Sequence, residues 1–145
     1  MKKKVFVNIR NARGRVVLED KLKKIIEAGE DPFDPENLHK YHGKPIIKMY
    51  QNWYLTESEH PYPGSKHHFL IISNTYIESS LELSIEARNE IFSIIDDIVK
   101  GNKITGYGFY MRNGNSDETG ATVKRLHAHL IVPKSNGPGI KIPLG

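Results

Sequence analysis

Gly120-Ala121-Thr122-Val123-Lys124-Arg125-Leu126-His127-Ala128-His129-Leu130-Ile131-Val132-Pro133 is the stretch that decides how this chain reads. Two histidines stand two residues apart inside an alternating apolar run, so the pattern predicts a β-strand over residues 123–132. Residues i, i+2 and i+4 of a strand share a face. Arg125, His127 and His129 are therefore expected on one side, with Leu126, Ala128 and Leu130 on the other. Packing gives no reason to gather a guanidinium and two imidazoles opposite a buried apolar face. An anion such as a phosphate does.

Working back from that strand, Arg112 to Gly120 is a polar loop, and residues 104–111 alternate as another strand. Tyr107, Phe109 and Met111 share one face of it, suited to core packing or a dimer contact. Ala87, Ile91, Ile94, Ile95 and Ile98 recur at helical spacing after a good N-cap, Ser84, and Glu86 favours the helix dipole. The spacing predicts a long helix over 85–100, with Gly101 beyond it. The continuous apolar run 69–72 reads as a central strand, and 46–50 and 53–56 as two more. Further back, Leu22, Ile25 and Ile26 mark a shorter helix over about 19–28, ended by Gly29, and residues 5–9 alternate as a strand. Residues 31–45 are irregular. The order suggests one α+β domain over 1–145 with a mostly antiparallel sheet. Residues 1–45 form an N-terminal extension, and 134–145, rich in Gly and Pro, a loose tail.

Composition removes several classes of function. With 38% hydrophobic and 26% charged residues the chain is an ordinary globular sequence. It has no cysteine, which excludes disulfides, thiolate catalysis and Cys-type zinc sites. A net charge of +4 attracts anionic ligands mildly and is too small to argue for a nucleic-acid partner. Residues 5–7 are too short for a signal-peptide core, and no run approaches the ~18 apolar residues of a membrane span. A cytoplasmic protein with no membrane partner is expected.

The chemistry centres on His127 and His129. Three readings stand: a half-buried pair on a sheet, a zinc chelate completed by His67 or His68, or nucleophilic catalysis on phosphorus. Neutral imidazole is an available nucleophile, since its ordinary pKa is about 6.5. The loop before the strand, rich in small and polar residues, offers N–H and O–H groups to phosphate oxygens and favours the third reading. His39, His42 and His60 fall in turn-rich segments and read as exposed. Lys21, Lys23 and Lys24 read as a solvated face.

These residues resemble the signature of the histidine triad (HIT) superfamily of nucleotide hydrolases and transferases, Gly-x-[Ser/Thr]-Val-x-His-x-His-x-His followed by two apolar residues. Gly120 to Ile131 align with it without a gap. Pro63-Gly64-Ser65-Lys66-His67-His68-Phe69-Leu70-Ile71-Ile72 resembles the family's Pro-Gly-His strand with two extra residues before the histidine, and the helix opening at Leu83-Ser84 follows in its place. The resemblance spans roughly 46–133 and implies a HIT-like five-stranded sheet with one long and one short helix. It also implies roles. His127 would attack the α-phosphorus and carry the nucleotidyl group, and His129 would assist the leaving group. Thr122, Gly120 and Asn113, with the loop backbone, would contact phosphate, and His68 would support the triad. Asn52 and Trp53 would lie near ribose and base. Arg125 stands where the first triad histidine is expected and could clamp phosphate, and Ala121 stands where a glutamine is usual. The implied activity is nucleotide hydrolysis or nucleotidyl transfer through a nucleotidyl-histidine. A phosphorylase, or a nucleotide-binding protein with little turnover, is the alternative. The implied partners are a purine nucleotide or dinucleoside polyphosphate and a second copy of the chain, as a homodimer. No cofactor or metal is required, although magnesium could accompany a polyphosphate.

Overall fold

A computed structural model describes residues 3–145. Five strands, β1 (Ile46–Met49), β2 (Trp53–Glu57), β3 (Ser65–Ser73), β4 (Gly108–Met111) and β5 (His127–Pro133), form one sheet in the order β1-β2-β3-β5-β4. Every neighbouring pair is antiparallel. The apolar run 69–72 sits in the middle strand, as its continuous hydrophobicity suggests.

Alternation sorts the two faces. Trp53, Leu55, Phe69, Ile71, Ala128 and Leu130 face one way and are buried beneath helix α3 (Ile85–Gly101), which contributes Ile91, Ile94, Ile95 and Ile98. Ser84 caps this helix by accepting a hydrogen bond from the Ala87 N–H. Gly101 belongs to its last turn, and Asn102 closes it with its side-chain amide on the Ile98 carbonyl at 2.8 Å. The opposite face carries Tyr54, His68, Leu70, Ile72, His127 and His129 and is covered by the N-terminal segment. Helix α1 (Val16–Ala28) buries Leu22 and Ile25 there and ends on Gly29 in the left-handed region. Among the described residues, no helix is long and apolar enough to cross a membrane.

Several boundaries differ from the expectation. Residues 5–9 make only a single bridge, Val7 to Val123, before a 3₁₀ turn at Ile9–Ala12 that Asn8 caps. Helix α1 begins three residues earlier than its apolar spacing indicates, because Val16 and Val17 are exposed and carry no periodic signal. β4 begins at Gly108: Ile104 is still bonded to the carbonyl of Val99 after Lys103 takes a left-handed conformation, so the chain is turning off the helix there. β5 begins at His127, because the N–H groups of Lys124 and Leu126 bond the carbonyls of Phe6 and Ile77, outside the sheet. The irregular and polar segments each hold one helical turn, α2 (Leu38–Tyr41) and α4 (Ser116–Thr119). The tail has no helix or strand, yet it is tied to Gly64, Arg112 and Thr119 by hydrogen bonds.

Candidate active site

His127 opens β5 and shares a face with His129, one alternation further along. Its Nδ1 lies 2.7 Å from the carbonyl oxygen of Arg125. A carbonyl only accepts, so the proton of the neutral ring is on Nδ1 and the Nε2 lone pair is unshared. Burial pushes the imidazole down to about 4, a shift that the Arg125 carbonyl opposes and the charge of Arg112 reinforces. The ring is neutral and nucleophilic at physiological pH. Phe33 meets it edge to face at 5.0 Å.

His129 sits opposite Leu70 of β3, and its Nδ1 lies 2.8 Å from Nε2 of His68. His68 Nδ1 in turn accepts from the backbone N–H of Tyr62 at 3.2 Å. The chain of bonds runs one way: Tyr62 N–H to His68 Nδ1, His68 Nε2–H to His129 Nδ1. That leaves the proton of His129 on Nε2, which is buried without a partner. Burial, with the neighbouring imidazoles and Arg112, holds His129 well below its ordinary range, and burial with the nearby His127 lowers His68 to about 4. The ring of Tyr110 lies parallel to His129 at 4.5 Å.

These imidazoles open onto a cavity of about 460 Å³, a size suited to a nucleotide-sized ligand. Gly120, Ala121, Thr122 and Arg112 line it on the loop side, and Leu22, Ile25, Phe33 and Leu70 make an apolar wall. Lys21 and Glu59, ion-paired at 2.9 Å, stand at its rim. Gly120 has φ +81°, and an added Cβ would meet the Gly145 carbonyl oxygen at 2.8 Å, so only glycine fits that turn. Among the described residues, no cluster of three or more His, Asp or Glu side chains is arranged to hold a metal ion.

Of the residues expected at the site, His127, His129, His68, Thr122 and Gly120 come together around this cavity. Three do not. Arg125 is 3% exposed and points away from the cavity: its Nε reaches Asp31 at 2.7 Å, one terminal nitrogen bonds the carbonyls of Ser73 and Asn74, and the other lies 3.3 Å from Asp34. Its side chain keeps to the face that alternation predicts, with Leu126 in the core on the other side, but the acidic residues of the N-terminal segment covering that face take it up before it reaches the cavity. Asn113 turns outward, accepting from the Ser80 N–H at 2.6 Å. Asn52 lies beside α3, its N–H bonded to Glu90, and Trp53 is a core residue whose indole N–H bonds the Ala87 carbonyl.

Sequence reasoning missed Arg112, Asn8 and Asn11, and it misread His42 and Lys21, which line the cavity. Arg112 projects toward the site two residues after Tyr110, the partner of His129 across the strands, so alternation along β4 was the available signal. It donates to the Thr119 carbonyl at 3.1 Å, to the Tyr110 hydroxyl at 3.2 Å and to the Pro143 carbonyl. Asn8 bonds the side chains of Ser116 and Asp117, and Asn11 bonds the carbonyls of Ser116 and Ala121. These asparagines brace the loop from more than a hundred residues away, and no local pattern announces such a contact.

The fold recurs in solved structures. A histidine triad nucleotide-binding protein from Candida albicans matches with TM-score 0.58 and 19% identity over 77% of this chain and 82% of its own. A HIT family hydrolase from Clostridium thermocellum matches with TM-score 0.53 and 20% identity over 74% and 94%. A protein from Leishmania major matches with TM-score 0.57 and 19% identity over 77% and 79%. No curated protein matches the chain by sequence. The HIT domain model matches residues 44–136, the sheet, the long helix and all three site histidines. The chain belongs to the HIT domain family.

Proposed function

We propose that this protein is a nucleotide hydrolase or nucleotidyl transferase that acts at the α-phosphorus through a nucleotidyl-His127 intermediate. The observation that carries the reading is the tautomer of His127. Its Nδ1–H is committed to the Arg125 carbonyl, so Nε2 presents a bare lone pair to the cavity. Nε2 attacks phosphorus, and the leaving group departs past the unpartnered N–H of His129. Thr122 and the turn at Gly120 hold the phosphate oxygens, and Arg112 adds a fixed positive charge. The apolar wall of Leu22, Ile25 and Phe33 receives the base. Water then releases the nucleoside monophosphate. A purine nucleotide or dinucleoside polyphosphate is the proposed substrate class, in keeping with the names of the similar structures, a nucleotide-binding protein and a hydrolase.

Arg125 occupies the position of the first triad histidine in this reading. Its backbone carbonyl orients the nucleophile while its side chain fastens the N-terminal segment. The protein pairs as a homodimer through β4, an outer strand whose Phe109 is exposed and meets exposed Phe92 edge to face at 5.6 Å.

The test is to mix the protein with a dinucleoside polyphosphate, quench, and weigh the intact chain. Wild type gains one nucleotidyl group and His127→Ala gains none. Turnover that survives in His127→Ala removes the mechanism.

A further inference from the structure

The relay behind His129 starts at a group that cannot titrate. The Tyr62 backbone N–H always donates, so His68 Nδ1 must stay bare to receive it. The ring of His68 then holds its proton on Nε2 and gives that hydrogen bond to His129 Nδ1. Converting His129 to an imidazolium needs a proton on Nδ1, where it would oppose the proton of His68. Turning His68 to its other tautomer would set two N–H groups against each other at Tyr62. The pair therefore keeps His129 neutral, donating from Nε2, as long as both bonds stand. A neutral imidazole N–H gives a hydrogen bond to a departing atom, but it is far too weak an acid to surrender the proton.

Among the described residues, the other proton-bearing groups of the cavity are engaged elsewhere: Lys21 Nζ is held by Glu59 at 2.9 Å, His42 Nε2 by the Glu57 carbonyl at 2.7 Å, the Tyr62 hydroxyl by that of Tyr110, and the His60 ring lies out at the surface. Arg112 is permanently charged, so it stabilises an anion without protonating it. The phenol of Tyr110 is pushed further above its ordinary range, by burial first and by its bond with Tyr62 second. Glu59, though partly desolvated, is held below the usual carboxylate range by the Lys21 ammonium.

We propose that this site expels its leaving group as an unprotonated anion, and so acts on phosphoanhydrides and other nucleotides with acidic leaving groups while excluding alkyl phosphoramidates. The inference rests on His127 as the nucleophile. Its Nε2 lone pair forms the N–P bond, and the P–O bond breaks with its electron pair staying on the departing oxygen. The Nδ1 proton stays on the His127 ring, hydrogen-bonded to the Arg125 carbonyl. In the second half, water oxygen bonds to phosphorus, the N–P pair returns to Nε2, and the proton of water passes to solvent. An alkyl amide nitrogen, by contrast, leaves only with a proton that the site does not supply. His68 is thus a positioning residue that sets specificity through the tautomer of His129.

The experiment compares three adenosine 5′-phosphate derivatives on the wild-type protein: aryl esters of graded acidity, a diadenosine polyphosphate and an N-alkyl phosphoramidate. The expected result is a kcat/KM that rises steeply with leaving-group acidity. The amidate should trail the anhydride by ~100-fold or more, the usual contribution of a positioned acid. Labelled-histidine NMR at pH 6 should show both His68 and His129 as neutral rings protonated on Nε2. An amidate turned over as fast as the anhydride, or a His129 imidazolium at pH 6, overturns the inference. If adducts at His127 form from both substrates at equal rates, the nucleophile stands and the leaving-group rule falls. If no substrate yields an adduct, the nucleophile reading falls and the rule with it.

Discussion

Arg125 Nε and Asp31 Oδ2 meet at 2.7 Å in the protein interior, joining residues 94 positions apart beside the strand that carries His127. Asp31 also accepts the Phe33 N–H at 2.9 Å, and the Phe33 ring leans on His127. One ion pair thus sets the N-terminal wall of the cavity and, through Phe33, the packing of His127.

Removing half of that pair strands a charge in the core. Asp31→Ala should cost about 3–5 kcal/mol of stability, whereas Asp31→Leu combined with Arg125→Met should recover most of it. Trp53, the single tryptophan, reports unfolding in urea. A loss under about 1 kcal/mol for Asp31→Ala would show that the clamp holds nothing.

The orienting contact to His127 comes from the Arg125 backbone, not its side chain. Arg125→Met should therefore leave nucleotide affinity within about threefold and lower stability instead. Arg112→Ala should weaken nucleoside monophosphate binding roughly 10–100-fold, the value of a charged hydrogen bond. Asn113→Ala should change it less than about twofold, since its side chain bonds Ser80 and Met111 outside the cavity. Calorimetric titration of the three variants distinguishes a phosphate-clamping Arg125 from this arrangement.

Acidity should affect stability and turnover in separate windows. His127 and His68 are lowered to about 4 by burial, so between about pH 6.5 and 4 the unfolded chain binds protons that the folded one does not. Stability is complete above the unfolded value and is lost as pH falls, at up to about 1.4 kcal/mol per pH unit for each histidine. Denaturation midpoints at pH 7.5, 5.5 and 4.5 should fall accordingly, and His68→Gln should flatten the slope. If His127 is the nucleophile, kcat/KM should stay level over the same range and drop only near pH 4, where that ring takes up a proton. An inflection near 6.5 would mean that His127 is not desolvated.

Bracing of the loop before β5 by the N-terminal segment is testable at Asn11. Asn11→Ala removes the bonds to the Ser116 and Ala121 carbonyls. The expected loss is roughly tenfold in kcat/KM, matching about 1.4 kcal/mol of positioning energy. Unchanged kinetics would show that the loop holds its shape unaided.

The amino-acid sequence alone determined the elements whose signal is periodic and local. These are the α3 stripe from Ala87 to Ile98, the apolar centre of β3, and the alternation that sets His127 and His129 opposite Ala128 and Leu130. Each follows from how consecutive side chains must point on a helix or strand. The tertiary structure decided where those elements start and which polar groups meet. It turned Arg125 away from the cavity toward Asp31, brought Asn8 and Asn11 onto the loop, and closed α1 over the imidazoles. Such choices depend on which buried charge finds a partner and which orphaned amide finds a carbonyl, and both are settled between segments far apart in the chain.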